Sequence, residues 1–160
     1  MNRSLYLFFS FCLSSPIMAQ TISAVVELSP AGSFTATSSQ VKGSITREGK
    51  KLNAKNIAVD VRSLKSEMDL RDEHLQNKLE VEKYPIILLK SASAENGNGK
   101  GILGIKGQDL PIDFKAEEKE GKILVKFDLD LDQLKLSGIN YAGVGVKNIV
   151  KVEALIPVKK

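Results

Sequence analysis

The chain has 160 residues, enough for one domain, and carries 23 Lys and Arg against 19 Asp and Glu. The net charge of +4 is mixed along the chain rather than gathered in a basic stripe with interleaved aromatic residues, so nucleic-acid binding is not expected. The one cysteine, Cys12, cannot form a disulfide within the chain, and bulky Phe9 and Phe11 before it argue against a lipid-anchored cysteine.

The N-terminal segment has the three-part pattern of a secretory signal peptide. Arg3 supplies the positive start, residues 5–13 are almost wholly apolar, and Ala19 is the small residue expected before a cleavage site. The apolar run is too short to span a bilayer. We therefore predict a signal peptide over residues 1–19 and a single domain over residues 20–160, located in the periplasm or secreted.

From Thr21 onward the apolar residues recur mostly at every second position, which is typical of half-buried strands. The predicted strands are 22–29, 33–37, 41–47, 56–62, 86–93, 101–106, 110–117, 122–132 and 149–158. Turn formers at Asn96-Gly97-Asn98-Gly99, Gly107-Gln108 and Glu120-Gly121 indicate tight reversals. This pattern predicts an all-β domain, either a sandwich or a closed barrel, between which periodicity alone does not choose.

One segment, residues 66–83, departs from the strand pattern. Met68, Leu75 and Leu79 have helical spacing, and carboxylates crowd the start, where they suit the positive end of a helix dipole. Pro85 then prevents the helix from continuing. We predict a short helical insert between two strands.

Several groups of residues imitate functional motifs. Gly99-x-Gly101-x-x-Gly104 matches a dinucleotide-binding pattern, but it lies in a predicted strand and does not lead into a helix. Asp128-x-Asp130-x-Asp132 lacks the Gly and the final Glu of a calcium loop and is interpreted as the solvent-exposed face of a strand. His74 is the only histidine, and we interpret it as a polar residue of the helix rather than as a general base or a metal ligand. We predict no catalytic residue, no metal site and no cofactor.

The segment around His74 also carries a family resemblance. Arg71-Asp72-Glu73-His74-Leu75 followed by Tyr84-Pro85, then the glycine-rich run 101–107 and the closing run 146–150, resembles the signature of the YceI-like family. Leu79 and Val81 stand where that family usually has aromatic residues, and Gly104 replaces a threonine. The resemblance implies a lipocalin-like closed antiparallel β-barrel that binds a long apolar lipid of the isoprenoid type. Such a function also implies transient contact with a membrane.

The apolar faces of the predicted strands supply the candidate ligand-binding residues. In a barrel these faces point inward, because the opposite faces carry residues such as Asp60, Lys126 and Asp128. The predicted cavity residues are Ile57, Val59, Val61, Leu88, Phe114, Val125, Phe127 and Leu129 from the strands, together with Leu75 and Leu79 from the helical insert. Burying about 400 Å² of lipid at about 25 cal/mol/Å² would yield on the order of 10 kcal/mol before ordering costs.

Two interpretations of this barrel remain open at the level of sequence. In the first, the protein is an exported lipid carrier without enzymatic activity. In the second, the same apolar residues fill a closed core, and the protein acts through its surface as a protein-interaction or stress-related module. A small hydrolase is disfavoured, since no nucleophile on a sharp turn accompanies the single histidine.

Overall fold

The structure, a computed structural model, describes residues 20–159. The expected signal peptide and Cys12 lie outside the described residues. The strands are β1 (Thr21–Ser29), β2 (Ser33–Ser38), β3 (Val41–Lys42), β4 (Ile45–Glu48), β5 (Lys51–Asp60), β6 (Ile86–Glu95), β7 (Asn98–Ile105), β8 (Gln108–Lys119), β9 (Lys122–Asp130), β10 (Asn140–Tyr141) and β11 (Val144–Lys159). One α-helix, α1 (Asp69–Lys78), follows a 3₁₀ turn at Val61–Ser63 in this part of the chain.

Seven of these strands close into a barrel, in the order β11-β4-β5-β6-β7-β8-β9 and back to β11. The long strand β11 pairs with β9 along one edge and with both β1 and β4 along the other. The contact with β4 is parallel and consists of Val158 with Ile45 and Lys159 with Thr46. The predicted closed barrel is confirmed, with this short parallel contact in an otherwise antiparallel ring.

Three two-residue turns set the register of β6 to β9. Asn96-Gly97, Lys106-Gly107 and Glu120-Gly121 all have positive φ at both positions, as a type I′ hairpin turn requires. The predicted reversals at 96–99 and 120–121 are therefore confirmed. The turn expected at Gly107-Gln108 lies one residue earlier, because Gln108 already pairs with Ile105.

The predicted strand 41–47 is broken into β3 and β4 at Gly43. Its φ is +123°, and a Cβ at this position would lie 3.0 Å from the Cα of Ile57 in β5. At Gly43 the chain therefore approaches the backbone of β5 so closely that only glycine fits. Both β3 and β4 still pair with β5, so the break bends the wall without opening it.

Strand β5 begins at Lys51, five residues before the predicted strand 56–62. Asn56 has a φ of +53°, an irregularity that shifts the alternation of the side chains. Leu52 and Ala54 border the interior before it, and Ile57 and Val59 border it afterwards. The sequence pattern hid the first half of the strand because the inward positions change parity at Asn56.

The predicted helical insert is confirmed as α1, which has ten residues. Asp69 and Asp72 lie in its first turn, and Lys78 lies in its last. Within residues 20–159, no helix combines the length and the apolar character that crossing a bilayer would take.

Candidate functional site

The centre of the barrel contains a narrow apolar cavity of about 80 Å³. Its wall is formed by aliphatic and aromatic side chains from β1 and from β3 to β9 and β11. The lining residues include Ile22, Val41, Ile45, Leu52, Ala54, Ile57, Val59, Ile87, Leu89, Ala92, Ala94, Leu103, Ile112, Phe114, Ala116, Ile123, Val125, Phe127, Ala154 and Ile156. This volume is below the roughly 150 Å³ of an apolar cavity that takes up benzene. A chain-like ligand therefore enters only if lining side chains move.

Five of the predicted cavity residues border this cavity: Ile57, Val59, Phe114, Val125 and Phe127. They come from β5, β8 and β9, the strands whose alternation is clearest in the sequence. Ile57, Val59 and Phe114 are buried, whereas Val125 and Phe127 are partly exposed. The structure thus brings together the three apolar faces that the sequence identified separately.

The other five predicted residues lie elsewhere. Val61 is buried in the 3₁₀ turn, and Leu75 and Leu79 belong to α1 and the turn after it, outside the cavity lining. Leu129 borders an open cleft in the barrel wall. The placement of Leu88 on the cavity side is wrong, because its neighbours Ile87 and Leu89 border the cavity and Leu88 lies on the opposite face of β6.

Sequence reasoning missed several lining residues. Ile112 and Ile123 share the inward faces of Phe114 and Val125, so extending the alternation by one step would have found them, whereas Ile156 lies on β11, from which no cavity residue was predicted. Ile87 and Leu89 were hidden by the run 86–89, in which every residue is apolar and neither face stands out. The β6–β7 register also shifts between Leu89 and Ser91, which breaks the period further.

The barrel wall splits between β8 and β9. The β8–β9 ladder joins only Lys115–Lys119 to Lys122–Lys126. Within the part of the chain that the structure describes, the rest of β8 pairs with β7 alone and the rest of β9 with β11 alone. An open cleft of about 1140 Å³ lies there, and its wall includes Leu110, Ile112, Phe114, Phe127 and Leu129.

The cleft meets the cavity at five residues, since Ser93 and the apolar Ala94, Ile112, Phe114 and Phe127 border both spaces. Phe114 and Phe127 are the residues of β8 and β9 that lie next to the end of the ladder, just inside the split. Solvent is thus separated from the cavity at this side by a thin layer of side chains. We call the boundary between the two spaces at these residues the passage.

Charged residues surround the cleft with both signs. Lys115 and Lys126 are cross-strand partners where the ladder ends, and Lys126 forms an ion pair of 3.5 Å with Glu153. Lys100 and Asp113 form another at 2.9 Å, and this hydrogen bond with its charge raises the pKa of Lys100. Exposed pairs of this kind contribute about 0–1 kcal/mol each. They make the rim hydrophilic and leave the passage as the apolar way inward.

Two adjacent residues connect α1 to the segment before it and to β2. The carboxylate of Asp72 accepts hydrogen bonds from the Ser66 amide at 2.8 Å and the Ser66 hydroxyl at 2.6 Å. Burial alone would raise the pKa of Asp72, but these bonds and the charge of Lys65 outweigh it and hold the pKa below its usual value. The guanidinium of Arg71 lies over the ring of Phe34 in β2. Both residues therefore have clear structural partners.

The motif-like groups have ordinary places in the fold. Gly99, Gly101 and Gly104 all lie within β7, away from any helix N-terminus. Asp130 accepts from the amide of Asp132, and Asp132 accepts from Asn148. His74 is exposed on α1. Among residues 20–159, no three His, Cys, Asp or Glu side chains are grouped so that they could hold a metal ion.

Solved structures share this architecture. A crystal structure of BcnA from Burkholderia cenocepacia aligns with a TM-score of 0.65 at 12% identity, covering 86% of this chain and 94% of that one. A polyisoprenoid binding domain from Saccharophagus degradans, implicated in plant cell wall breakdown, aligns with a TM-score of 0.57 at 13% identity, covering 86% and 91%. At these identities the likeness shows the fold.

The family is established by the sequence itself. Comparison with curated proteins gives no significant match. The family model of the YceI-like domain matches residues 18–157, which span every strand of the barrel apart from the very end of β11. The chain belongs to the YceI-like family.

Proposed function

We propose that this protein binds a slender apolar lipid chain, of the isoprenoid type, inside its barrel and carries it without chemical change. The observation that carries the proposal is the contiguity of an almost wholly apolar cavity with a cleft in the wall, through Phe114 and Phe127. A ligand held by such a lining is bound by burial of apolar surface. The relative from Saccharophagus degradans, described as a polyisoprenoid binding domain, supports the same ligand class.

Binding requires the interior to expand. A cavity of about 80 Å³ is well below the roughly 300–1,000 Å³ of pockets that enclose a small-molecule ligand. Val125 and Phe127 are partly exposed, so solvent rather than packed atoms lies on one side of them, and Phe127 also lies at the passage. We expect the chain to enter through the passage and to displace these side chains.

Binding rather than catalysis fits the residues that border the cavity. Apart from Asn53 and Ser93, the lining side chains are apolar, and none of them is an acid, a base or an activated nucleophile. Arg71, Asp72 and His74 lie on α1 and do not border the cavity. A carrier needs no reacting group, so this composition suits it.

We further propose that the protein is exported and that residues 1–19 are removed. This proposal rests on Arg3, the apolar run 5–13 and Ala19 in the sequence. N-terminal sequencing of the protein from the extracellular or periplasmic fraction should give Gln20 as the first residue. An acylated Cys12 at the N-terminus, or an intact chain in the cytoplasm, would contradict it.

A second function is favoured by one observation, the small volume of the cavity. If the side chains do not yield, the barrel is a filled core, and the protein acts through its surface as an interaction module. A carrier should lose ligand binding when a larger side chain is placed inside the barrel. A filled barrel binds no ligand, so the same substitution has no binding to remove.

The experiment that separates them adds a side chain to the cavity wall. Ala154→Leu should fill the cavity, keep or raise the melting temperature, and abolish displacement of a fluorescent apolar probe by farnesol. Ala58→Leu is the matched control, because Ala58 lies on β5 between Ile57 and Val59 and is not part of the cavity wall. Equal farnesol binding by the wild type and Ala154→Leu would overturn binding inside the barrel. No binding by the wild type would favour the interaction module.

A further inference from the structure

Gly99 and Phe114 lie directly opposite one another on β7 and β8. A Cβ built on Gly99 would lie 2.2 Å from Cε2 and 2.3 Å from Cζ of the Phe114 ring, and 2.9 Å from the Cβ of Ala94. The Cε2–Cζ edge of the ring therefore occupies the space that a side chain at position 99 would need. It can do so because the next residue in the row, Ala94 on β6, is also small.

Space, not backbone conformation, is what this position demands of its residue. The positive-φ glycines within residues 20–159 do not include Gly99, so its backbone is one that any residue adopts. Neither Gly101 nor Gly104 has an aromatic ring among its nearest atoms. Of the three glycines in β7 that imitate a nucleotide-binding motif, Gly99 alone makes room for a ring.

The Phe114 ring lies at the passage. Phe114 borders both the cavity and the cleft, and so does Ala94 beneath it. Phe127 borders the same two spaces, so both rings lie where the cleft meets the cavity. A side chain at position 99 would displace the Phe114 ring from its present place at this boundary.

We propose that the Gly99–Phe114 pair sets the length of apolar chain that the barrel accepts. The pair does this by fixing how far the Phe114 ring projects into the passage. A short chain occupies the cavity alone, whereas a longer chain extends past the ring into the cleft and is limited by it. This inference rests on the proposed function, because it assigns a length limit to the same ligand.

The test measures binding of geraniol, farnesol and geranylgeraniol, with two, three and four isoprene units, by displacement of a fluorescent apolar probe. Gly99→Ala should weaken the binding of geranylgeraniol by at least about tenfold relative to the binding of geraniol. Phe114→Leu should change the same ratio in the opposite direction, because it shortens the obstructing side chain. The double variant should return toward the wild-type ratio, since the shorter side chain opposite position 99 tolerates the added methyl, and the cycle isolates the coupling.

Gly104→Ala is the matched control for a methyl added to β7. Its Cβ would meet Lys90, Leu88 and Asp109, which border neither the cavity nor the cleft, so the length ratio should stay unchanged. If Phe114→Leu does not fold, Phe114→Met, which keeps more of the volume, replaces it. Equal changes for all three alcohols, or a ratio that moves in the reverse direction, would overturn the length limit while leaving lipid binding intact. A wild type that binds none of the three would overturn both.

Discussion

The guanidinium carbon of Arg71 lies 4.4 Å from the centre of the Phe34 ring, and this contact connects α1 to β2. Arg71 also directs a guanidinium nitrogen to the carbonyl of Ser66, at 3.4 Å. Ser66 in turn donates to the next helix residue, Asp72. Arg71 and Asp72, which belong to the run that resembles the family signature, are thus the residues that connect α1 to β2 and to the segment before the helix.

Arg71→Ala should lower the free energy of unfolding by about 1–3 kcal/mol, because it removes the cation–π contact and the packing of the side-chain stem. The free energy of unfolding of Arg71→Lys should lie between those of the wild type and Arg71→Ala, since lysine keeps the charge but lacks the planar group. Thermal denaturation followed by circular dichroism measures both. Arg62→Ala is the control, because its exposed ion pair with Glu82 should contribute only about 0–1 kcal/mol. If Arg71→Ala melts at the wild-type temperature, the contact between Arg71 and Phe34 does not stabilise the fold.

Asp72 should make stability depend on acidity. The folded-state pKa of Asp72 is lowered from the ordinary value of 3.8, so its contribution is fully present above that value and is lost as the pH falls through the lower, folded pKa. Asp72→Asn should flatten this part of the profile. Urea denaturation between neutral and strongly acidic pH measures it. If the two proteins lose stability in parallel as the pH falls below 3.8, Asp72 is not the responsible group.

Gly107 should be more sensitive to substitution than Gly49, although both have positive φ, +70° and +60°. A methyl at Gly49 would meet nothing within 4 Å, so Gly49→Ala carries only the backbone penalty of about 1–2 kcal/mol. A methyl at Gly107 would lie 2.6 Å from the ring of Tyr84. Gly107→Ala should therefore lower the melting temperature further than Gly49→Ala. Equal losses would mean that Tyr84 moves away freely.

The strands were predictable wherever one face is apolar and the other is charged. In β8 and β9, residues such as Phe114 and Phe127 alternate with Asp113 and Asp128, and both of these aromatic residues border the cavity, whereas Leu129 further along β9 borders the cleft. The hairpin turns were predictable for a separate reason, since their glycines supply the positive φ that a type I′ turn requires. Local pattern and local geometry agree in this half of the barrel.

The remainder depends on contacts that are distant in sequence. The break at Gly43 follows from the approach of Ile57, and the inward turn of Ile87 and Leu89 follows from pairing with β5. The split between β8 and β9 exists because each strand leaves the other for a different neighbour. Neither the passage nor the pairing of Gly99 with Phe114 has a signature in a single strand.

Native mass spectrometry of the purified protein mixed with farnesol tests the central claim most directly. The proposed carrier should show one added ligand mass per chain, and the adduct should be absent for Ala154→Leu and present for Ala58→Leu. A spectrum with only the ligand-free mass at all farnesol concentrations would contradict lipid binding by the barrel. An adduct that persists in Ala154→Leu would place the ligand outside the cavity.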